Sequence, residues 1–509
     1  MSAAKEDLFD VIVVGAGSAG CVVASRLSEV AERQVCLIEA GEKATDPRIA
    51  DPLQWPFLQG STIDWAYRTT PQKGTAGRVH DWPRGRVVGG SSCMHAMAHV
   101  RGHPSDFEPW AEVDPGWSFD SLLPYFIASE RFSGGASDRH GDAGPLDVFL
   151  PERIHPLAEA YMLAGEELGI APSGDHNGHQ MEGPARNSLT IRGGRRCTLA
   201  DAYLIPVLGR TNLTLISGAH VERVRVSDDL VTGVDAVVGS SPRRLSAPLV
   251  VLCSGTVASP LLLMRSGIGP ADELRRHGIA PCRDLQAVGA NLHDHLLAAG
   301  NVYKARQPVP PSTSQHSESL MYLRRGAGPA PDLVLACVTL PVVTEAFTRP
   351  DVGSAFTIMC GLTHPTSRGR LRLSGPGTLD PPVIDPAYLS TGHDRLQFRQ
   401  SIRLAREVGH ARALDDWRSE ELLPGPGIQS DRDLDDFLAL AATTHHHPVG
   451  TCAMGCDPEN SVVDGTLRVH GIRGLRVVDA SVIPSIPTGP VNAAVVAIAE
   501  RAADMIAAG

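Results

Sequence analysis

The sequence predicts an α/β fold whose core is a parallel, doubly wound sheet carrying a ligand at the carboxyl ends of its strands. Three observations predict it. Asp10 to Val14, DVIVV, is a short β-branched run that leads straight into Gly15-Ala16-Gly17-Ser18-Ala19-Gly20. Cys21 to Glu29 then has helical apolar spacing, and Gln34 to Ala40 is a second buried strand with Glu39 near its end. Two more short apolar runs, Leu249 to Leu252 and Leu475 to Asp479, end in a glycine turn and in an acid. In such a sheet ligands gather where the strands end, so Glu39, Gly255 and Asp479 are expected to converge on one crevice. By itself Asp479 reads first as a helix N-cap.

The first forty residues form a dinucleotide-binding unit of Rossmann type. Gly15 allows the tight turn out of the strand, Gly17 leaves room for a pyrophosphate, and Gly20 lets the helix lie close to the sheet. Ser18 and Ala19 open that helix, whose free N–H groups and partial positive charge favour phosphate. Glu39, followed by Ala40, stands about 20 residues on, where a carboxylate accepts from ribose hydroxyls. These residues suit FAD and NAD alike.

The 509 residues are 42% hydrophobic and 20% charged, as in an ordinary soluble globular chain long enough for two domains. A net charge of −11 leaves no basic surplus for nucleic acid. No apolar leader precedes the first strand, and no stretch of about 18 apolar residues occurs. Val491 to Ala508, with Glu500, Arg501 and Asp504, reads as a buried C-terminal helix. Ten scattered cysteines complete no metal set and point to a reducing cytoplasm. No membrane contact is expected.

Residues 41–85 are an irregular excursion pinned by Trp65 and Tyr67, and Gln307 to Ser319 reads as a mobile surface loop. Gly89-Gly90-Ser91-Ser92 is a second glycine–serine turn expected to open a helix, as an anion site or as a plain cap. Asp332 to Val338 and Arg370 to Leu373 are strand-like, and Asp394 to Val408 is helical. In Thr443-Thr444-His445-His446-His447-Pro448 an extended backbone sets His445 and His447 on one face and turns His446 away. Two imidazoles without acids make a poor metal set, so none is expected.

The stretch from Gly85 to Gly102, GRVVGGSSCMHAMAHVRG, resembles a signature of the glucose–methanol–choline (GMC) family of flavin-dependent alcohol oxidoreductases. Gly255 to Gly269, Val288 to His295, His447 to Gly455 and Val477 to Ser481 resemble further blocks in the family's order. The resemblance spans nearly the whole chain and implies FAD. It implies an α/β architecture: a Rossmann-type FAD-binding domain from residues 1–150, 191–299 and 456–509, and an α+β substrate domain with an antiparallel sheet from 151–190 and 300–455. It implies cofactor contacts at Gly89, Gly90, Ser91, His95, Ala96, Val221, Ser254, Gly255, Asp479, Ala480, Pro490 and Val491, besides the first glycine turn and Glu39. Met94 stands where some relatives carry a flavin-linked histidine, so the FAD is expected to be non-covalent. His99 reads as a packed residue.

Alcohol oxidation moves a proton and a hydride. Histidine suits the first task and flavin the second. The resemblance makes His447 the base or alkoxide stabiliser and His445 a supporting imidazole. Pro490 departs from the family pattern: it stands where relatives carry Asn or His, and its side chain neither donates nor accepts. The apolar patch it leaves suits a flat ring. The expected reaction is oxidation of a hydroxymethyl group to an aldehyde with O2 giving H2O2, with pyridoxine first in line. Other aromatic, amino-sugar or choline-like alcohols, or a quinone acceptor, are the alternatives.

Overall fold

The structure is a computed structural model that describes residues 7–509. Its first layer is a five-stranded parallel sheet. β1 (Val11–Val14) is followed by α1 (Ser18–Leu27) and β2 (Val35–Ile38). β3 (Leu213–Ile216), β4 (Leu249–Leu252) and β5 (Leu475–Val477) join much later. The order is β3-β2-β1-β4-β5, with Val11 beside both Val35 and Leu249. All four residues of β1 and of β2 are buried, which is why these strands show continuous apolar runs and no alternation. The order reverses at β1, so the crevice opens between the ends of β1 and β4.

α1 starts earlier than its apolar spacing alone suggests, at Ser18, because Gly17 serves as its N-cap. α2 (Gly255–Arg265) follows β4, and α3 (Asn492–Ala507) closes the chain. α1 and α3 pack side by side and are joined by Arg26 Nε to Glu500 Oε2 at 2.7 Å, with Tyr203 Oη donating to the same carboxylate at 2.6 Å. α3 is the buried helix expected from Val491 to Ala508.

The second layer is an eight-stranded antiparallel sheet. Its path runs Arg418–Leu423, Val302–Ala305, Ala355–Leu362, Leu333–Val338, Ser319–Leu323, Gly183–Arg186. Leu296–Ala298 pairs with both Ala355–Leu362 and Ala442–Thr444. Ala185, Leu320, Ala336 and Met359 stand in one cross-strand row and so point to one face. That face has a core of its own with Val100, Leu297 and Tyr322. The other face, including Met321, Leu335, Cys337 and Ile358, belongs to the main core. The helix Gly392–Gly409 covers it with Phe398, Ile402 and Ala405. Burial on both sides explains why Leu333–Val338 is apolar throughout.

Two expectations are corrected. The second glycine turn does not open an α-helix: it makes one 3-10 turn, Gly90–Cys93, and Met97 has left-handed φ of 62°. Its backbone N–H is taken by His95 Nδ1 at 3.0 Å rather than by a helical carbonyl. The stretch Gln307 to Ser319 is packed inward, with Ser312, Gln315 and Glu318 buried. Gln315 Nε2 donates to the Ala96 carbonyl at 3.0 Å, and His316 Nε2 reaches the Leu53 carbonyl at 3.0 Å. The excursion over 41–85 is irregular as expected, and Trp65 stacks on Tyr67 with centroids 5.8 Å apart. All ten cysteines are free, and no helix among the described residues is long and apolar enough to cross a membrane.

One polar cluster lies deep in the fold. Glu130, fully buried, accepts from Arg101 Nη2 and from His140 Nδ1 at 2.7 Å each, and His99 Nε2 lies 3.4 Å away. His140 Nε2 meets Asp175 at 2.7 Å. Burial opposes both charges, but bonds from His140 and His99 and the Arg101 guanidinium hold Glu130 well below the carboxylate range. Asp175 and Glu130 raise His140 despite its burial. The His140 contribution to stability is therefore complete below about pH 6.5 and is lost as pH rises through its raised folded value. Glu130→Gln should cost about 3 kcal/mol, read as a lower urea midpoint, because it strands a buried guanidinium. It should also flatten the loss of stability as pH rises above about 6.5.

Candidate active site

A single cavity of about 990 Å³ runs from the ends of the parallel strands to the inner face of the antiparallel sheet. Its wall at one end is built by turns that only glycine permits. A Cβ on Gly15, at φ 102°, would lie 2.6 Å from the Cys253 carbonyl oxygen, and one on Gly20 would lie 1.8 Å from the Gly15 carbonyl oxygen. Gly17 differs: its nearest neighbour would be 3.9 Å away, so its missing side chain leaves open space. Ser18, Ala19, Ala40, Ser91, Ala96 and Val221 line the same end. Gly20 and Gly89 do not reach the wall; Gly20 backs onto Gly15, and Gly89 donates its N–H to the Ala16 carbonyl at 2.7 Å.

The N-termini of α1, α2 and α3 all open onto this cavity through Gly17, Gly255 and Val491, and none has a side-chain cap. Ser18 Oγ donates to Asn492 Oδ1 at 2.7 Å and ties the first to the third. Free N–H groups at helix starts favour anionic ligands. Glu39 Oε1 and Oε2 accept from Gly41 N and Ala16 N at 2.8 and 2.9 Å, and burial raises it to about 7. Each oxygen retains a lone pair for a ribose hydroxyl. Asp479 is both things the sequence allowed: it caps Ser481 N at 2.8 Å, and it accepts from Gly255 N at 2.9 Å and Ser259 Oγ at 2.6 Å. It thereby braces the turn after β4. Open space at Gly17 beside free helix N-termini fits the pyrophosphate of a dinucleotide.

His95, Ala480, Pro490 and Val491 line the middle of the cavity. His95 Nδ1 accepts from Met97 N and lies 3.2 Å from Arg196 Nη1. Burial and the nearby arginine lower it to about 3, so it is neutral with its proton on Nε2. His99 is off the wall, within the Glu130 cluster.

At the far end stand His445, His446 and His447. They do not lie in an extended strand. The strand ends at Thr444, and His446 takes φ 65°, which costs on the order of 1 kcal/mol outside glycine. That kink brings the His445 and His447 rings to 4.3 Å while His446 also lines the cavity instead of pointing away. Asp294 offsets the strain: Oδ1 accepts from His447 N at 2.7 Å, and Oδ2 accepts from Thr444 Oγ1 and Tyr388 Oη at 2.5 Å each.

His295 is the residue sequence reasoning missed. It lies 152 positions from His447 and reaches it only because Leu296–Ala298 pairs with Ala442–Thr444; His445 N continues that ladder to the His295 carbonyl at 2.9 Å. A continuous apolar run after His295, Leu296 to Ala299, was the available signal. Its Nε2 meets the Thr363 carbonyl at 2.7 Å and its Nδ1 meets His447 Nδ1 at 3.0 Å. A carbonyl only accepts, so the proton of His295 sits on Nε2. Burial and the neighbouring His445 lower this ring to about 3, so it carries no second proton and Nδ1 accepts. His447 must then donate from Nδ1. Burial, with His445, His295, His446 and Arg84 nearby, holds His447 well below the usual imidazole range. Its Nε2 is therefore a bare lone pair without a protein partner.

Two GMC oxidoreductase family models match the chain, over residues 9–297 and 365–499. Pyridoxine 4-oxidase of Microbacterium luteolum is 46% identical over 500 residues, which is 97% of this chain and 98% of that protein. Mitochondrial choline dehydrogenase of Homo sapiens is 38% identical over 99% of this chain and 90% of its own length. The crystal structure of pyridoxine 4-oxidase from Mesorbium loti superposes with a TM-score of 0.96 at 48% identity, covering 98% of this chain and 99% of that one.

Gly17→Val should lower the FAD content of the purified protein, read from its visible absorbance, while the melting temperature of the cofactor-free protein holds. Gly20→Ala should lower that melting temperature, because its methyl meets backbone and not open space. With turns, cavity and relatives in agreement, the chain belongs to the glucose–methanol–choline oxidoreductase family and is an FAD-dependent enzyme of alcohol oxidation.

Proposed function

We propose that this enzyme oxidises the hydroxymethyl group of pyridoxine to the aldehyde and passes the electrons to O2, giving H2O2. The observation that carries the reading is the hydrogen-bond chain from the Thr363 carbonyl through His295 to His447, which leaves His447 Nε2 unprotonated on the cavity wall. The 46% identity to a pyridoxine 4-oxidase supports the substrate.

In this reading His447 Nε2 takes the hydroxyl proton. The imidazolium keeps its Nδ1–H on His295, and the Asp294 carboxylate at its backbone N–H offsets part of the charge. Bound FAD supplies the hydride acceptor and, when reduced, the electrons for oxygen. His445 offers a second imidazole to the substrate oxygen, the role that Pro490 cannot fill. The substrate ring rests between Pro490 and the apolar sheet face of Leu297, Leu320, Ala336 and Met359. Gly15, Gly17, Ser18 and Ala19, with Glu39, Ala40, Gly90, Ser91, Ala96, Val221, Ser254, Gly255, Asp479, Ala480 and Val491, would hold the cofactor, and His95 Nε2–H would be free to donate to it. The FAD is non-covalent, Met94 having no nucleophile to attach it. Residues 7–150, 191–295 and 456–509 act as the cofactor domain and residues 151–190 and 296–455 as the substrate domain, which takes in Leu296–Ala298 because that strand pairs in the antiparallel sheet and not, as expected, with the cofactor domain. Ten free thiols support a reducing compartment such as the cytoplasm.

The test is peroxide release in air by the yellow protein with pyridoxine, beside benzyl alcohol and choline. Peroxide with pyridoxine alone is expected. Flavin bleaching without peroxide would make the enzyme a dehydrogenase, and bleaching only with another alcohol would discard the substrate.

His447→Ala should keep FAD bound and slow flavin reduction by about 100-fold or more. In the wild type the rate should stay level as pH falls through about 6.5, where an ordinary imidazole is half protonated, and drop only at lower pH. A midpoint near 6.5 in anaerobic flavin reduction would overturn the assignment of the base.

A further inference from the structure

The three imidazoles at the end of the cavity have a chemistry that alcohol oxidation does not use. One ring nitrogen from each of His295, His445 and His447 lies within 4.8 Å of the others. Among the described residues no acid or thiol joins them, and the nearest carboxylate, Asp294, is engaged by Tyr388, Thr444 and the His447 backbone. Three neutral imidazoles, His445 and His447 on the cavity wall and His295 buried behind them, suit a borderline divalent cation such as Zn²⁺, with water from the cavity as fourth ligand, and do not suit Mg²⁺ or Ca²⁺.

The surroundings fit as well. His295 anchors its far nitrogen on the Thr363 carbonyl at 2.7 Å, the usual support of a metal-bound histidine. His445 Nδ1 is buried without a partner, so its ring turns at no cost in hydrogen bonds. Tetrahedral zinc needs nitrogens about 3.3 Å apart, which asks movements of about 1.5 Å or less from these side chains.

We propose that His295, His445 and His447 form an inhibitory site for Zn²⁺ or a cation of its class, competing with the alcohol. The competition rests on the reading of His447 as base. If the cation takes Nδ1, the ring proton moves to Nε2. If it takes Nε2, the lone pair itself is used. Either way no base faces the substrate, and no bond to carbon or change of oxidation state is involved.

Equilibrium dialysis of the FAD-loaded enzyme against Zn²⁺ tests the site without reference to turnover. One tightly held Zn²⁺ per chain is expected, with affinity at least 30-fold weaker in His295→Gln and in His445→Gln. The control His179→Gln, at an exposed His–Asp pair, should bind as the wild type does. Zinc-edge absorption of the wild-type holoenzyme needs no variant and should give three imidazole nitrogens and one oxygen. Equal binding in all variants, a shell with sulfur, or no stoichiometric binding overturns the site and leaves the base intact. Zinc held by the three histidines with undiminished flavin reduction overturns both the inhibition and the role of His447. Loss of turnover reversed by EDTA and relieved by excess alcohol completes the expected result.

Discussion

The arrangement of the reactive end depends on one buried carboxylate. Asp294 accepts from the His447 amide and the Thr444 hydroxyl of one segment and from Tyr388 of another, itself lying far from both in sequence. Burial pushes its own pKa up, while the bonds from Thr444 and Tyr388, the Arg84 charge and the His447 amide pull it down. Burial prevails on balance, so the donors serve to favour the ionised form against it, and they are held in place by the carboxylate. The kink at His446, the approach of His447 to His295 and the location of Tyr388 are consequences of that mutual requirement.

A second constraint acts at the other end of the cavity. Three helices begin there; the first and third leave their opening amides for a ligand instead of being capped by side chains, while Asp479 takes the Gly255 amide of the second. Capping would add about 1 kcal/mol to each helix. The fold forgoes this stability where the bound dinucleotide carries its negative charge. The hydrogen bond between Ser18 and Asn492 keeps two of these helix starts together, although 474 positions separate them.

The parallel sheet and its glycine turns were legible because strand, turn, helix and acid lie within one local stretch. Buried strands announce themselves by apolar runs, and Gly15, Gly17 and Gly20 each answer to a separate steric requirement. The reactive end was legible only by halves. His445 and His447 are neighbours in sequence, so they could be read together, but the reason for their nearness is the left-handed His446 and not strand alternation. His295 was invisible as a partner, because only the register of Leu296–Ala298 against Ala442–Thr444 brings it near. The inward packing of Gln315 and Glu318 was missed for a related reason. A stretch rich in proline and serine looks like surface, and its buried amide and carboxylate find partners at Ala96, Ser314, Ser317 and His155.

β5 and α3 are the last regular elements to be made, yet β5 completes the parallel sheet beside β4 and α3 supplies one of the three helix starts around the cavity. As the chain leaves the ribosome, β1 and β2 emerge more than 400 residues before these partners. The strands are parallel, so no hairpin can pair them early. Once β4 is made, the growing chain therefore carries its unpaired edge and an incomplete ligand cleft until β5, which begins at Leu475, follows. Cofactor capture must wait for these late elements, and until β5 arrives the exposed β4 edge is open to pairing with other chains.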